Sequence, residues 1–142
     1  MGKLIKTNPN ARELVTESLD KGHWWSTLHL IIDFLSSKRV EDVRVEYGFV
    51  LDRDLEGKPQ VENQIVRLVD LEAVIKRGFA EGTIEWAKMS DFVFRPLSAD
   101  LIFMLCNDAD LHFASADSLL LMDVAHKIRA SGIKVYDSGK LI

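Results

Sequence analysis

Cysteine, proline and long apolar runs are all scarce in this chain of 142 residues. Its single cysteine, Cys106, cannot form a disulfide within the chain, so nothing points to an oxidising compartment. No stretch reaches the roughly 18 apolar residues of a membrane helix, and the first residues lack the apolar core of a secretory signal. These absences predict a cytoplasmic protein that does not insert into a membrane.

Neither sign of charge dominates the composition. The formal net charge is -4, and the 28% charged and 47% hydrophobic residues match an ordinary globular domain. Because a nucleic-acid-binding domain normally carries a basic excess, we expect no nucleic-acid partner. No repeat or linker divides the chain, which predicts a single globular domain over residues 1–142.

The last third of the chain has the clearest pattern of secondary structure. Residues 101–106 form an apolar run typical of a strand covered on both faces, and a polar turn leads to a second strand at 111–114. A helix capped by Ser115 or Asp117 follows, and residues 133–142 alternate as a closing hairpin. The strand–turn–strand order predicts an antiparallel pair.

The first forty residues favour two helices. Asn8 and Pro9 suit the start of one helix that would end at Gly22, and a second would run from Trp24 to Ser36. Residues 41–142 alternate between strands and two further helices. We therefore predict an α+β fold in which an N-terminal helical hairpin, residues 1–40, packs on a largely antiparallel sheet with two further helices.

One short segment concentrates the reactive side chains, namely Cys106, Asp108, Asp110 and His112. Cys106 with His112 would suit a thiol nucleophile and its base, and Asp108, Asp110 and His112 would suit a metal ion. Against this, no defined motif spacing is satisfied, the aspartates suit a tight turn, and His112 suits a solvent-facing position. We therefore expect no catalytic residue, metal or cofactor, and keep this hairpin as the alternative site.

Two other groups are candidate binding residues. Trp24 and Trp25 are adjacent on a predicted helix, where neighbours point about 100° apart, so one is expected in the core and the other at a rim or interface. Tryptophan is enriched among the residues that dominate binding energy. The second group is an acidic loop that would attract a basic partner, with Asp52, Asp54 and Glu56.

The sequence thus favours a non-enzymatic protein that binds another protein or forms a homo-oligomer. An acidic inhibitor of a basic partner, such as an immunity protein that neutralises a toxin, is one concrete form. Two alternatives stay open: a small metal- or cysteine-dependent hydrolase built on the 106–112 hairpin, and a small-ligand regulatory domain.

Overall fold

The computed structural model of the protein describes residues 10–48, 60–81, 91–105 and 109–142, and it confirms the predicted α+β class. These ranges contain eight strands and three α-helices, in the order β1 (Arg12–Thr16), α1 (Lys21–Ser37), β2 (Asp42–Gly48), β3 (Gln60–Arg67), α2 (Leu71–Glu81), β4 (Asp91–Pro96), β5 (Ile102–Leu105), β6 (Leu111–Ser115), α3 (Ser118–Ala130), β7 (Val135–Asp137) and β8 (Lys140–Leu141). A short 3-10 helix, Leu68–Asp70, leads from β3 into α2.

One antiparallel sheet holds all eight described strands, in the order β3-β2-β4-β5-β6-β1-β7-β8. The strand that comes first in the described sequence lies deep inside this sheet. β1 pairs with β6 through residues 12–15 and with β7 through Val15 and Thr16. Because β1 separates β6 from β7, the last hairpin depends on it for its place in the sheet.

The two faces of the sheet pack differently. All three helices contribute apolar side chains to the main core, together with the strand residues that point toward them. Phe103 lies in this core between Phe94 and Phe113, with ring centroids 4.9 and 6.4 Å away. The opposite face, called the far face below, carries a smaller buried cluster made of Val93, Ile102, Met104 and Ala114.

The structure has a strand where the sequence predicts the first helix of the hairpin. The adjacent apolar pair Leu14 and Val15 suits helical spacing, whereas the buried residues of the run, Leu14 and Thr16, alternate as in a strand. Pairing with two neighbouring strands decides between the two. Gly22, the predicted end of that helix, lies instead in the first turn of α1. The predicted hairpin of two helices is therefore one strand and one helix in the described part of residues 1–40.

Asp20 explains why α1 begins where it does. Its Oδ1 accepts a hydrogen bond from the backbone N–H of His23 at 2.7 Å, which satisfies one of the free donors of the first turn. The same hydrogen bond, reinforced by the ring of His23, holds the pKa of Asp20 below its usual range.

Of the other two helices, α3 begins where the sequence predicts. α2 follows Asp70 directly and buries Leu71, Val74 and Ile75. α3 is capped by Asp117, whose Oδ1 accepts from the backbone N–H of Leu120 at 3.1 Å.

The predicted hairpins of the last third are confirmed. β5 and β6 are antiparallel neighbours, and all four residues of β5 are buried, as expected for a strand covered on both faces. The residues that join them, 106–108, lie outside the described ranges. β7 and β8 are joined by Ser138 and Gly139, both at positive φ (51° and 83°), which is the geometry that tight two-residue hairpins require.

No helix in the described ranges is long and apolar enough to cross a membrane.

Replacing Phe103 with alanine should lower the free energy of unfolding by about 3–5 kcal/mol, because it removes the ring between two stacked neighbours and leaves a cavity. Urea denaturation followed by circular dichroism measures this loss. Leu119→Ala is the control, since Leu119 is 80% exposed and its removal should leave the midpoint unchanged. Equal losses in the two variants would contradict the described core.

Candidate functional site

A buried histidine lies between two carboxylates on the far face. His112 is 5% exposed, and its Nδ1 lies 2.7 Å from Glu13 Oε2. Its Nε2 lies 3.0 Å from Asp110 Oδ1, at ion-pair distance rather than in good hydrogen-bond geometry. A carboxylate oxygen therefore lies beside each ring nitrogen of His112.

Strand pairing brings this group together. Val15 is directly opposite His112 across the β1–β6 pair, and Glu13 is opposite Ala114. Glu13 and His112 are therefore diagonal neighbours on one face of the sheet, within reach of each other's side chains. Asp110 immediately precedes β6 and reaches the other side of the ring.

This arrangement corrects the expectation that His112 faces solvent. Residues on both faces of β6 are buried, so alternation along the strand does not separate solvent from core there. In the thiol alternative His112 would be the base, and its two ring nitrogens both lie beside carboxylates. The proposed nucleophile, Cys106, lies outside the described ranges.

Two of the three ligands of the alternative metal site, Asp110 and His112, lie close together, with Asp110 Oδ1 3.0 Å from His112 Nε2. Within the described ranges, no group of three or more His, Cys, Asp or Glu side chains is arranged to hold a metal ion. Asp108, the third predicted ligand, lies outside them.

The two candidate tryptophans take different positions on α1. Trp24 is 2% exposed and belongs to the main core, whereas Trp25 is half-buried at its edge. Their rings meet edge to face with centroids 5.0 Å apart, and both contact the ring of Phe79 on α2. Of the pair, therefore, Trp25 offers surface to a partner and Trp24 holds α1 against α2.

A chain of charged groups borders Trp25. Glu72 accepts from Lys76 Nζ at 2.8 Å and lies 2.7 Å from His29 Nε2, so it links α1 to α2. Lys76 and then His29 hold the pKa of Glu72 below its usual range. Lys76 Nζ also lies 5.9 Å from the centre of the Trp25 ring, within cation–π distance. The charged groups around Trp25 are therefore paired with one another.

Three arginines lie together at the β3–β2–β4 end of the far face. Arg44 on β2 is directly opposite Arg95 on β4, and Ile65 on β3 is opposite Arg44 on its other side. Arg67 lies two residues along β3, and Leu97 donates its N–H to Asp42 O at the same end. We call this surface the arginine corner; it consists of Arg44, Arg67, Arg95, Ile65 and Leu97.

The arginine corner combines incomplete charge pairing with exposed apolar surface. Arg95 reaches one carboxylate, Glu46, at 3.1 Å, while its buried Nε has no acceptor among the described residues. Neither Arg44 nor Arg67 forms an ion pair with a described residue. Ile65 is 53% exposed and Leu97 50%, so about half of each of these large apolar side chains is open to solvent beside the arginines.

Comparison with known proteins adds no assignment. The chain matches no family model, no curated protein and no solved structure.

The sequence interpretation named none of the residues of the arginine corner as a binding site. The outward position of Arg44 was readable, because it alternates with the buried Val43 and Val45. Its position opposite Arg95 was not readable, since strand register is absent from a single sequence. The acidic residues proposed for binding instead, Asp52, Asp54 and Glu56, lie outside the described ranges.

His112→Gln should lower the free energy of unfolding by about 3 kcal/mol, since it removes the imidazole that lies between two largely buried carboxylates. Chemical denaturation at neutral pH measures the loss. The matched control is His29→Gln, which breaks the same kind of pair at a 54% exposed side chain and should change stability little. A small effect at both positions would show that the His112 cluster is not a stabilising unit.

Proposed function

We propose that this chain is a protein-binding module, and that its arginine corner docks a segment of a partner protein that carries carboxylates between apolar side chains. The partner is identified by charge and apolar complementarity alone.

The observation that carries this proposal is the direct opposition of Arg44 and Arg95 across β2 and β4. Like charges facing each other on neighbouring strands destabilise a sheet. Glu46 offsets one of the two, and Arg95 Nε is left buried without an acceptor among the described residues. An incoming carboxylate would offset the repulsion between the two guanidinium groups by pairing with their accessible nitrogens.

The residues around the arginines favour a protein over a bare anion. Ile65 and Leu97 stand half exposed on either side of them, so a bound segment would bury apolar surface as well as pair charges. Arginine is enriched in protein interfaces because its planar fork pairs with carboxylates at two points. The formal net charge of -4 disfavours long-range attraction of a nucleic acid to the same arginines.

We expect the partner to contact side chains on the face of the sheet and not to pair with the backbone at the edge of β3. Between the pairs Val45–Gln64 and Tyr47–Val61, β3 has one more residue than β2, which is a β-bulge. A bulge twists an edge strand away from regular pairing and hinders the addition of another strand. We therefore expect the chain itself to remain monomeric.

The inhibitor of a basic partner that the sequence predicts would also be a protein-binding module, but its binding surface would be acidic. It depends on Asp52, Asp54 and Glu56, outside the described ranges, while the described candidate surface is cationic. A cytoplasmic location is part of our proposal and is supported by the single cysteine of the chain.

A short fluorescent peptide that alternates glutamate with leucine should bind the protein, and Arg44→Gln should weaken that binding by about tenfold because a charge-assisted hydrogen bond is lost. Fluorescence anisotropy measures the dissociation constant. The control variant, Lys127→Gln, makes the same charge change on α3 and should leave affinity unchanged. A second variant, Ile65→Ser, should also weaken binding, because it removes apolar contact without altering charge.

Three results would contradict the proposal. The first is equal binding of a peptide that alternates lysine with leucine. The second is tighter binding of a single-stranded oligonucleotide, which would make the site a phosphate binder. The third is a dimer in sedimentation equilibrium that Ile65→Ser dissociates, which would assign the surface to self-association.

A further inference from the structure

Two carboxylates lie among the side chains of the arginine corner. Val43 and Val45 of β2 are fully buried in the main core. The residues that alternate with them on this strand therefore lie on the far face, and these are Asp42, Arg44 and Glu46. All three are half-buried. Because alternate residues of a strand are about 6.5–7 Å apart, β2 presents a negative, a positive and a negative charge at that spacing.

Each of these carboxylates has an arginine beside it. Glu46 Oε1 accepts a hydrogen bond from Arg95 Nη2 at 3.1 Å. Asp42 is directly opposite Arg67 across the β2–β3 pair, although their charged atoms are not within ion-pair distance. Opposite charges that face each other across neighbouring strands attract, so each carboxylate offsets one arginine at least in part.

Arg44 has neither kind of compensation among the described residues. It forms no ion pair, and its neighbours across the two strand pairs are Ile65 and Arg95. Three arginines and two carboxylates leave one positive charge at the corner, and the strand register assigns that charge to Arg44. One carboxylate from outside is enough to balance it.

Resting on the docking function proposed above, we infer that the arginine corner recognises an extended segment with one isolated carboxylate, and that it rejects an acidic run. The isolated carboxylate pairs with Arg44. Along an extended segment that lies over β2, acids two positions before and after that carboxylate would be placed over Asp42 and Glu46, because the spacing is the same. Like charges placed against each other across an interface oppose binding, so these two carboxylates determine specificity.

Three peptides that alternate leucine with a polar residue test this on the full chain by fluorescence anisotropy. Their three polar positions are glutamine–glutamate–glutamine, three glutamates, or three glutamines. The single-glutamate peptide should bind about fivefold more tightly than the triple-glutamate peptide, because the outer glutamates meet Asp42 and Glu46. The peptide without glutamate should bind most weakly, since it lacks the charge that pairs with Arg44.

Asp42→Asn should narrow this preference to about twofold, by raising the affinity for the triple-glutamate peptide. Asp123→Asn, the same charge change on α3, is the control and should keep the full preference. The comparison of the three peptides on the unaltered chain does not depend on the folding of any variant.

The possible failures separate the specificity from the docking function. If affinity for the unaltered chain rises with the number of glutamates, the corner attracts acidic runs, so the docking function stands and the inferred specificity is wrong. The specificity is also wrong if Asp42→Asn and the control show the same preference. If all three peptides bind alike, or none binds, both the docking function and the specificity are wrong.

Discussion

The insertion of β1 between β6 and β7 is the constraint on which the rest of this structure depends. Without it, the described sheet would divide into a five-stranded piece and the separate β7–β8 hairpin. The same short strand sends Leu14 into the main core and Glu13 to the imidazole of His112. Because β1 pairs with residues about a hundred positions away in the chain, its docking is a non-local step that carries a high entropic cost.

The two ends of the far face differ in how their charged side chains are arranged. Beside β1, the carboxylates of Glu13 and Asp110 enclose a histidine and have little solvent access. At the β3–β2–β4 end, Arg44 and Arg67 have no described counter-charge, and apolar side chains stand exposed around them. The charged groups beside β1 lie against one another and are largely buried, whereas the arginines at the other end lie beside exposed apolar surface, where we propose that a partner docks.

The sequence predicted the parts of the fold that depend on local signals. The cap at Asp117, the apolar run of β5 and the turn at Gly139 each identify their element through chemistry within a few residues. β1 was missed because its adjacent apolar pair, Leu14 and Val15, suits a helix, and only pairing with distant strands makes it extended.

The candidate sites were harder to predict for the same reason. The sequence placed His112 among reactive neighbours along the chain, but Glu13, the residue at its Nδ1, is 99 positions away. Trp24 and Trp25 were correctly expected to differ in burial, because their angular separation on a helix is a local property. The opposition of Arg44 and Arg95 is a matter of register, which periodicity does not encode.

We propose that the arginine corner binds an acidic segment, and mapping where such a segment contacts the protein tests this proposal. Amide chemical shifts should be followed by NMR as the glutamate–leucine peptide is added. Changes in chemical shift should be confined to β2, β3 and β4 around Arg44, Ile65 and Leu97. The amide shifts on the outer surfaces of α1 and α3 should stay the same. Shifts centred on those helices, or none at saturating peptide, would contradict it.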